Sequence, residues 1–211
     1  MKKNYILEQE IARLRSQDTL PQDFRRSLEK VGEYIGLEIA ETLQHTEHTF
    51  QTPMNEYATH TVVDEKIAII GVLRAGLPLY NGLLNVFPTA ESGFIGAMRD
   101  EETLKSTITY SALPEMEGKS VIIADTMLAT GGTMCDVIDE VAKYKPRQII
   151  TACAIASQTG INKVCAHRVL KNLDNLAMYE AVVDETLNEN GYILPGLGDA
   201  GDRCYGATSL K

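Results

Sequence analysis

The chain lacks most of the features that would tie it to a membrane, a structural metal or a nucleic acid. Its longest apolar runs, such as Ile67 to Leu73, fall far short of the ~20 residues a spanning helix needs. Met1-Lys2-Lys3-Asn4-Tyr5 leads into Glu8, Glu10 and Arg13 with no apolar core. No secretory leader is therefore expected, and the cytoplasm is the expected compartment. The four cysteines, at 135, 153, 165 and 204, form no C-x-x-C pair. Three fall in expected core segments, where a free thiol acts as a small apolar residue, which speaks against a zinc site. His45 and His48 form an H-x-x-H at the end of an expected helix, with no Cys or Asp nearby, and read as solvated. Positive charge is also short: 20 Lys and Arg against 29 Asp and Glu, a net charge of −9. A general nucleic-acid binder would be basic. The loop that follows the strand at 119–124 carries neither a P-loop nor a G-x-G-x-x-G fingerprint. There is no internal repeat and no low-complexity tract.

What is present suits one domain over residues 1–211, with 44% hydrophobic and 23% charged residues. Leu7, Ile11 and Leu14 mark a first helix. After the break at Asp18-Thr19-Leu20-Pro21, a stripe of Phe24, Leu28, Val31, Ile35, Ile39 and Leu43 predicts a second, so residues 1–45 form a helical N-terminal region. Thr49 to Val63, around Pro53-Met54-Asn55-Glu56, reads as a hairpin. Then strands at 67–72, 92–98, 119–124, 148–156 and 176–181 alternate with helices at 76–86, 132–144 and 159–167. That alternation predicts an α/β fold with a mostly parallel sheet and helices on both faces. The polar stretch 99–117, with Thr107, Ile108, Thr109 and Tyr110, reads as a flexible extended arm.

The most informative stretch is Val121 to Val137. An apolar strand ends in Asp125, the loop Ala129-Thr130-Gly131-Gly132-Thr133 follows, and Met134, Val137, Ile138 and Val141 begin a periodic helix. Glycines let backbone N–H groups approach an anion, hydroxyls add donors, and the helix start adds partial positive charge. Arg74, in Gly71-Val72-Leu73-Arg74-Ala75-Gly76, stands at the C-terminal end of a buried strand, the edge where open α/β sheets bind ligands. Its fork suits a pyrophosphate. Arg99, in Gly96-Ala97-Met98-Arg99-Asp100-Glu101-Glu102-Thr103, stands at the base of the arm. Lys105 lies further along it, as an additional donor or a solvated charge. Residues 190–206 carry enough Gly and Pro to read as an irregular turn, neither helix nor strand. Composition alone would make it a surface loop.

These blocks resemble the uracil phosphoribosyltransferases, a branch of the type I phosphoribosyltransferases. Asp125 to Thr133 is similar to that family's Asp-Pro-Met-Leu-Ala-Thr-Gly-Gly-Ser, with Thr126 in place of Pro and Thr133 in place of Ser. The second change keeps the hydroxyl; the first restores an N–H and frees φ. Leu73-Arg74-Ala75-Gly76-Leu77, the Gly-x-x-Arg-x-Glu-Glu-Thr at 96–103, and Gly191-Tyr192-Ile193-Leu194-Pro195-Gly196-Leu197-Gly198-Asp199-Ala200-Gly201-Asp202 also match. The family often has Pro after the strand ending near Ala156; here Ser157-Gln158-Thr159-Gly160 stands instead.

The resemblance implies a type I phosphoribosyltransferase fold and a pyrimidine-salvage enzyme joining uracil to 5-phospho-α-D-ribose 1-diphosphate (PRPP). It implies Arg74, Arg99 and Asp125 as catalytic residues. For PRPP it implies Arg74, Arg99, Asp125, Thr126, Met127, Leu128, Ala129, Thr130, Gly131, Gly132, Thr133 and Asp199. For uracil it implies Ile193, Gly198, Asp199 and Ala200, within a base-binding segment at 190–206. Mg²⁺ would be held mainly through PRPP, with no direct protein ligand. GTP is a candidate allosteric activator, and a homo-oligomer, dimer or higher, is expected. An RNA-binding pyrimidine regulator on the same fold is the alternative, disfavoured by the acidic charge. A purine or orotate enzyme would carry two adjacent acids where Asp125 and Thr126 stand.

Overall fold

The computed structural model describes residues 4–99 and 106–207. Two helices come first, α1 (Tyr5–Arg15) and α2 (Pro21–Ala40). Asn4 caps α1 by accepting the Ile6 and Leu7 N–H groups, while α2 begins on Pro21, which has no N–H to satisfy. The stripe Phe24, Leu28, Val31, Ile35 and Ile39 is fully buried. The helix ends at Ala40 and Leu43 packs from the following turn.

The hairpin begins earlier than expected: β1 (His45–Gln51) pairs antiparallel with β2 (Tyr57–Val63). His45 and His48 therefore lie on a strand, not a helix end. The Thr, Phe and His run that weakens a helix suits an exposed strand, and Phe50 stacks on His60 with centroids 5.7 Å apart.

The main sheet uses β3 (Ile67–Leu73), β4 (Glu91–Arg99), β5 (Ser106–Ala112), β6 (Ser120–Leu128), β7 (Gln148–Ser157) and β8 (Leu176–Asp184). Its order is β5-β4-β3-β6-β7-β8, all parallel except β5. β3 and β7 are almost wholly buried, as continuous apolar runs covered on both faces must be. The helices α3 (Leu77–Val86), α4 (Gly132–Ala142) and α5 (Gln158–Leu170) return the chain between parallel strands. α1, α2 and α3 cover one face with Phe24, Ile35, Leu79 and Leu83; α4 and α5 cover the other with Met134, Val137, Ile138 and Val164.

Three boundaries differ from expectation. β6 runs through Asp125 to Leu128, because pairing with β7 continues to Leu128↔Ala156. The second half of the 99–117 arm is no free arm: 106–112 is sheet edge, and Met116 is fully buried behind it. Asp100 to Lys105 lie outside the described residues. The 190–206 segment contains β10 (Ile193–Leu194), paired with β9 (Thr186–Leu187), and the short helix α6 (Ala200–Tyr205). Among the described residues no helix is long and apolar enough to cross a membrane.

The chain leaves β3 toward β4 on one side and returns to β6 on the other. This reversal opens a crevice beyond the C-terminal ends of β3 and β6, where open α/β sheets take their ligands.

Candidate active site

A cleft of about 840 Å³ occupies that crevice. Its floor is the end of β6. Asp125 faces the cleft, and its carboxylate accepts the N–H groups of Met127 and Thr126. Burial nevertheless pushes its pKa up to about 7, since two backbone donors only partly replace lost hydration. Thr126 is fully buried and turned away, its hydroxyl donating to the Ala75 carbonyl at 2.7 Å. That bond ties β6 to the loop carrying Arg74.

Next to Asp125 the chain turns through Ala129 to Thr133 into α4. Gly131, the residue before α4, has φ 78°, and no side chain caps the helix. A β-branched residue would be strained there. The free first-turn N–H groups of α4, with the Thr130 and Thr133 hydroxyls beside them, form a concave anion site. α5 braces it from behind. Ser157 donates to the Ala129 carbonyl at 2.6 Å and accepts the Gly160 N–H at 2.8 Å, capping α5 where the family's Pro would give no hydroxyl.

Arg74 lies on the opposite wall, after a cis Leu73–Arg74 peptide. Gly76 explains the tightness of this corner: a Cβ there would sit 2.5 Å from the Val72 oxygen, 2.6 Å from the Ala124 oxygen and 3.3 Å from the Asp125 Cα. An alanine would push Asp125 out of place. The half-exposed Arg74 guanidinium reaches 3.7 Å from Asp202.

The third wall is the C-terminal segment. Asn188 folds the 188–192 turn by accepting the Asn190 and Tyr192 N–H groups at 3.0 and 2.9 Å, and Gly191 completes it with φ 74°. Asp199 caps α6 by accepting the Asp202 N–H at 2.8 Å and lines the cleft, as does Ile193.

Three arginines fix this wall to the N-terminal helices. Arg15 grips Asp184 with both terminal nitrogens (2.9 and 2.7 Å) and donates to the Gly196 oxygen at 2.9 Å, while Asp184 accepts the Gly196 N–H. The Arg15 guanidinium holds the Asp184 carboxyl below the usual carboxylate range against its burial, with the Gly196 N–H helping. Arg203 stacks 4.2 Å over Phe24 and donates to the carbonyls of Leu14, Ser16 and Leu197, and Arg25 donates to that of Cys204.

The structure thus gathers Arg74, Asp125, Met127 to Thr133, Ile193 and Asp199 around one cleft. It does not place three expected residues on its wall. Thr126 is used in the tie to Ala75, Ala200 is buried as the first residue of α6, and Gly198 is exposed with φ 78°. Arg99 ends β4, beside β3; its side chain lies outside the described residues, as does Lys105. Sequence reasoning missed Glu189, on the cleft wall, and the supporting pair Arg15 and Asp184. The Asn188-Glu189-Asn190-Gly191 composition signals a turn, but nothing local marks a partner for Arg15, 169 residues away.

An acid at the end of a central strand, an uncapped Gly-Gly helix start and a ligand cleft at the sheet's reversal define a type I phosphoribosyltransferase. The purine phosphoribosyltransferase of Pyrococcus horikoshii shares the fold at 19% identity, with a TM-score of 0.51 over 75% of this chain and 83% of that one. The AQ2163 protein of Aquifex aeolicus superposes with a TM-score of 0.87 at 35% identity, over 99% of this chain and 98% of that one. The family model described as uracil phosphoribosyltransferase matches residues 1–207. Curated uracil phosphoribosyltransferases from Metamycoplasma hominis (39% identical, 98% of this chain, 96% of theirs) and Aquifex aeolicus (37%, 95% and 94%) agree. The chain belongs to the uracil phosphoribosyltransferase family. The regulator alternative gains no support from these relatives.

Proposed function

We propose that this chain catalyses uracil + PRPP → UMP + diphosphate, a pyrimidine-salvage reaction. The observation that carries the reading is that one cleft joins an acid, an anion-binding helix start and a backbone-rich wall of 188–201. The C1′–O bond to pyrophosphate breaks, the C1′–N1 bond forms, and the N1 proton leaves. The loop from Ala129 to Thr133 receives the 5′-phosphate. Asp125 binds the ribose hydroxyls and, ionised, favours the positive charge developing on the sugar. Arg74 and Arg99 hold the departing pyrophosphate. Ile193, Asp199 and the backbone of 190–201 seat the base, so that N1 is aimed at C1′.

Among the described residues no cluster of three or more His, Cys, Asp or Glu side chains can hold a metal. Mg²⁺ would enter mainly on PRPP, in a cleft lined by the carboxylates of Asp125, Glu189 and Asp199, and would neutralise part of the pyrophosphate charge. GTP activation rests on the family resemblance alone. Cytoplasmic location accords with four free cysteines. The single-domain reading of 1–211 belongs to the same proposal.

UMP is expected to raise Tm by several degrees when well above its Kd, since about 2.7 kcal/mol is gained at 100 Kd. IMP and OMP should give much smaller shifts in the same scanning fluorimetry. Equal shifts from all three would contradict the base assignment.

We also propose a homo-oligomer in which the β1–β2 hairpin lies at the contact. Both strands are exposed along nearly their whole length, and Phe50, Met54, Tyr57 and Val62 stand uncovered. A two-stranded hairpin is marginal alone in water, so a second copy of the chain is its natural cover. Phe50→Asp with Tyr57→Asp should lower the sedimentation mass toward that of one chain; an unchanged mass would remove the hairpin from the contact.

A further inference from the structure

A cation that no motif identifies, Lys163, stands beside the anion loop, just outside the residues that line the cleft. It lies on the second turn of α5, one turn after Gly160, and its side chain is exposed. Two glycines let α5 approach the anion loop closely. A Cβ on Gly160 would sit 2.5 Å from the Ala129 oxygen and 2.7 Å from the Leu128 oxygen, and one on Gly131 would sit 2.9 Å from the Gly160 oxygen and 3.2 Å from the Lys163 Cβ. With Ser157 pinning the helix start to Ala129, the Lys163 stem has little freedom at its root. Its Nζ then lies 3.6 Å from the point where a Gly132 Cβ would stand, and the Thr130 hydroxyl lies 3.9 Å from that same point. The ammonium and the hydroxyl flank one face of Gly132, whose N–H belongs to the uncapped start of α4.

We infer that Lys163 is a phosphate-binding residue: its ammonium pairs with the 5′-phosphate of PRPP and UMP from the α5 side of the loop. The inference rests on the reading of Ala129 to Thr133 as the 5′-phosphate site. The chemistry follows from the inventory there. Backbone amides and hydroxyls donate hydrogen bonds but carry no full charge, whereas a phosphate monoester carries close to two negative charges at neutral pH. Arg74 is on the opposite wall, toward the pyrophosphate. Lys163 supplies a full positive charge on the phosphate side, as a point charge that follows the ligand without a fixed fork geometry. Because it meets substrate and transition state alike, it acts on binding more than on the chemical step.

The test compares the unaltered enzyme with Lys163→Ala, Lys163→Arg and Lys171→Ala. The last removes a cation just past the C-terminal end of α5 that is paired with Asp139 at 3.2 Å, and neither residue lines the cleft. Lys163→Ala should raise KM for PRPP and Ki for ribose 5-phosphate about three- to tenfold. The rise in KM should exceed any fall in kcat, and Ki for pyrophosphate should stay unchanged. Lys163→Arg should restore most of the loss, and Lys171→Ala should leave all constants in place. Unchanged constants in Lys163→Ala would overturn the inference. So would an equal weakening of ribose 5-phosphate and pyrophosphate, which would show a general field and not a contact. Calorimetric binding of ribose 5-phosphate needs no turnover, so it tests Lys163 separately from the choice of base. If the unaltered enzyme fails to use uracil yet binds ribose 5-phosphate more tightly than Lys163→Ala does, the base assignment falls and Lys163 stands.

Discussion

Replacing Asp125 with Asn is expected to lower kcat by roughly 10²-fold or more while making the protein more stable at pH 8. Both effects come from one carboxyl. The substitution removes the charge that opposes the positive sugar in the transition state, an electrostatic contribution whose loss typically costs about 10²–10³ in rate. The stability gain follows from linkage. Burial raises the Asp125 pKa from 3.8 to about 7, so the fold prefers the protonated acid. Its contribution is intact below about pH 4 and is lost as pH rises through 7, by an amount on the order of 4 kcal/mol at most. Asparagine cannot ionise and escapes that loss. Thermal unfolding should show Asp125→Asn several degrees above the unaltered protein at pH 8, with the gap closing near pH 4. In the free enzyme, kcat/KM should rise with pH through about 7, as Asp125 ionises. An unchanged kcat, or a Tm gap independent of pH, would remove Asp125 from its role.

Arg74→Ala is expected to reduce kcat/KM for PRPP by about 10²–10³-fold, with Tm nearly unchanged. The fold does not depend on this side chain. It is half-exposed, and its ion pair with Asp202, at 3.7 Å, is of the kind that contributes at most about 1 kcal/mol. The position does depend on the fold: Gly76 allows the corner to close against Asp125, and Thr126 anchors it through Ala75. Arg74→Lys should recover only part of the rate, since one ammonium cannot reproduce two parallel N–H donors on a pyrophosphate. Inhibition by pyrophosphate should weaken strongly in Arg74→Ala and inhibition by ribose 5-phosphate hardly at all, the reverse of the pattern for Lys163→Ala. An unchanged Ki for pyrophosphate would place Arg74 outside the pyrophosphate site.

What could be read without coordinates divides along a physical line. Elements with a strong hydrophobic period were legible: α2 from Phe24 to Ile39, and β3 from its unbroken apolar run. The anion loop was legible because its chemistry is local, with acid, glycines and helix start adjacent in sequence. Long-range pairing was not. Arg15 and Asp184 meet across the whole fold, and each alone looks like an ordinary surface charge. Lys163 was hidden for the same reason, since only the contact of Gly160 with Gly131 carries its stem to the loop. Thr126 is the instructive error. Motif matching treats Asp125 to Thr133 as one block, but β6 continues to Leu128, so side chains alternate across the sheet, and Thr126 faces away while Asp125 faces the cleft. Likewise β10 and α6 were masked by a composition rich in Gly and Pro, although Asp199 is a sound helix cap.

On the proposed reading, this cleft joins uracil, and no other common base, to PRPP. This is tested most directly by pyrophosphate release with PRPP and Mg²⁺, with uracil, hypoxanthine, guanine, adenine and orotate offered separately, and with and without GTP. Turnover is expected with uracil alone, abolished by chelating the metal. Turnover with a purine or with orotate would contradict the assignment of the 190–201 wall to uracil, and no turnover with any base would contradict the enzymatic reading itself.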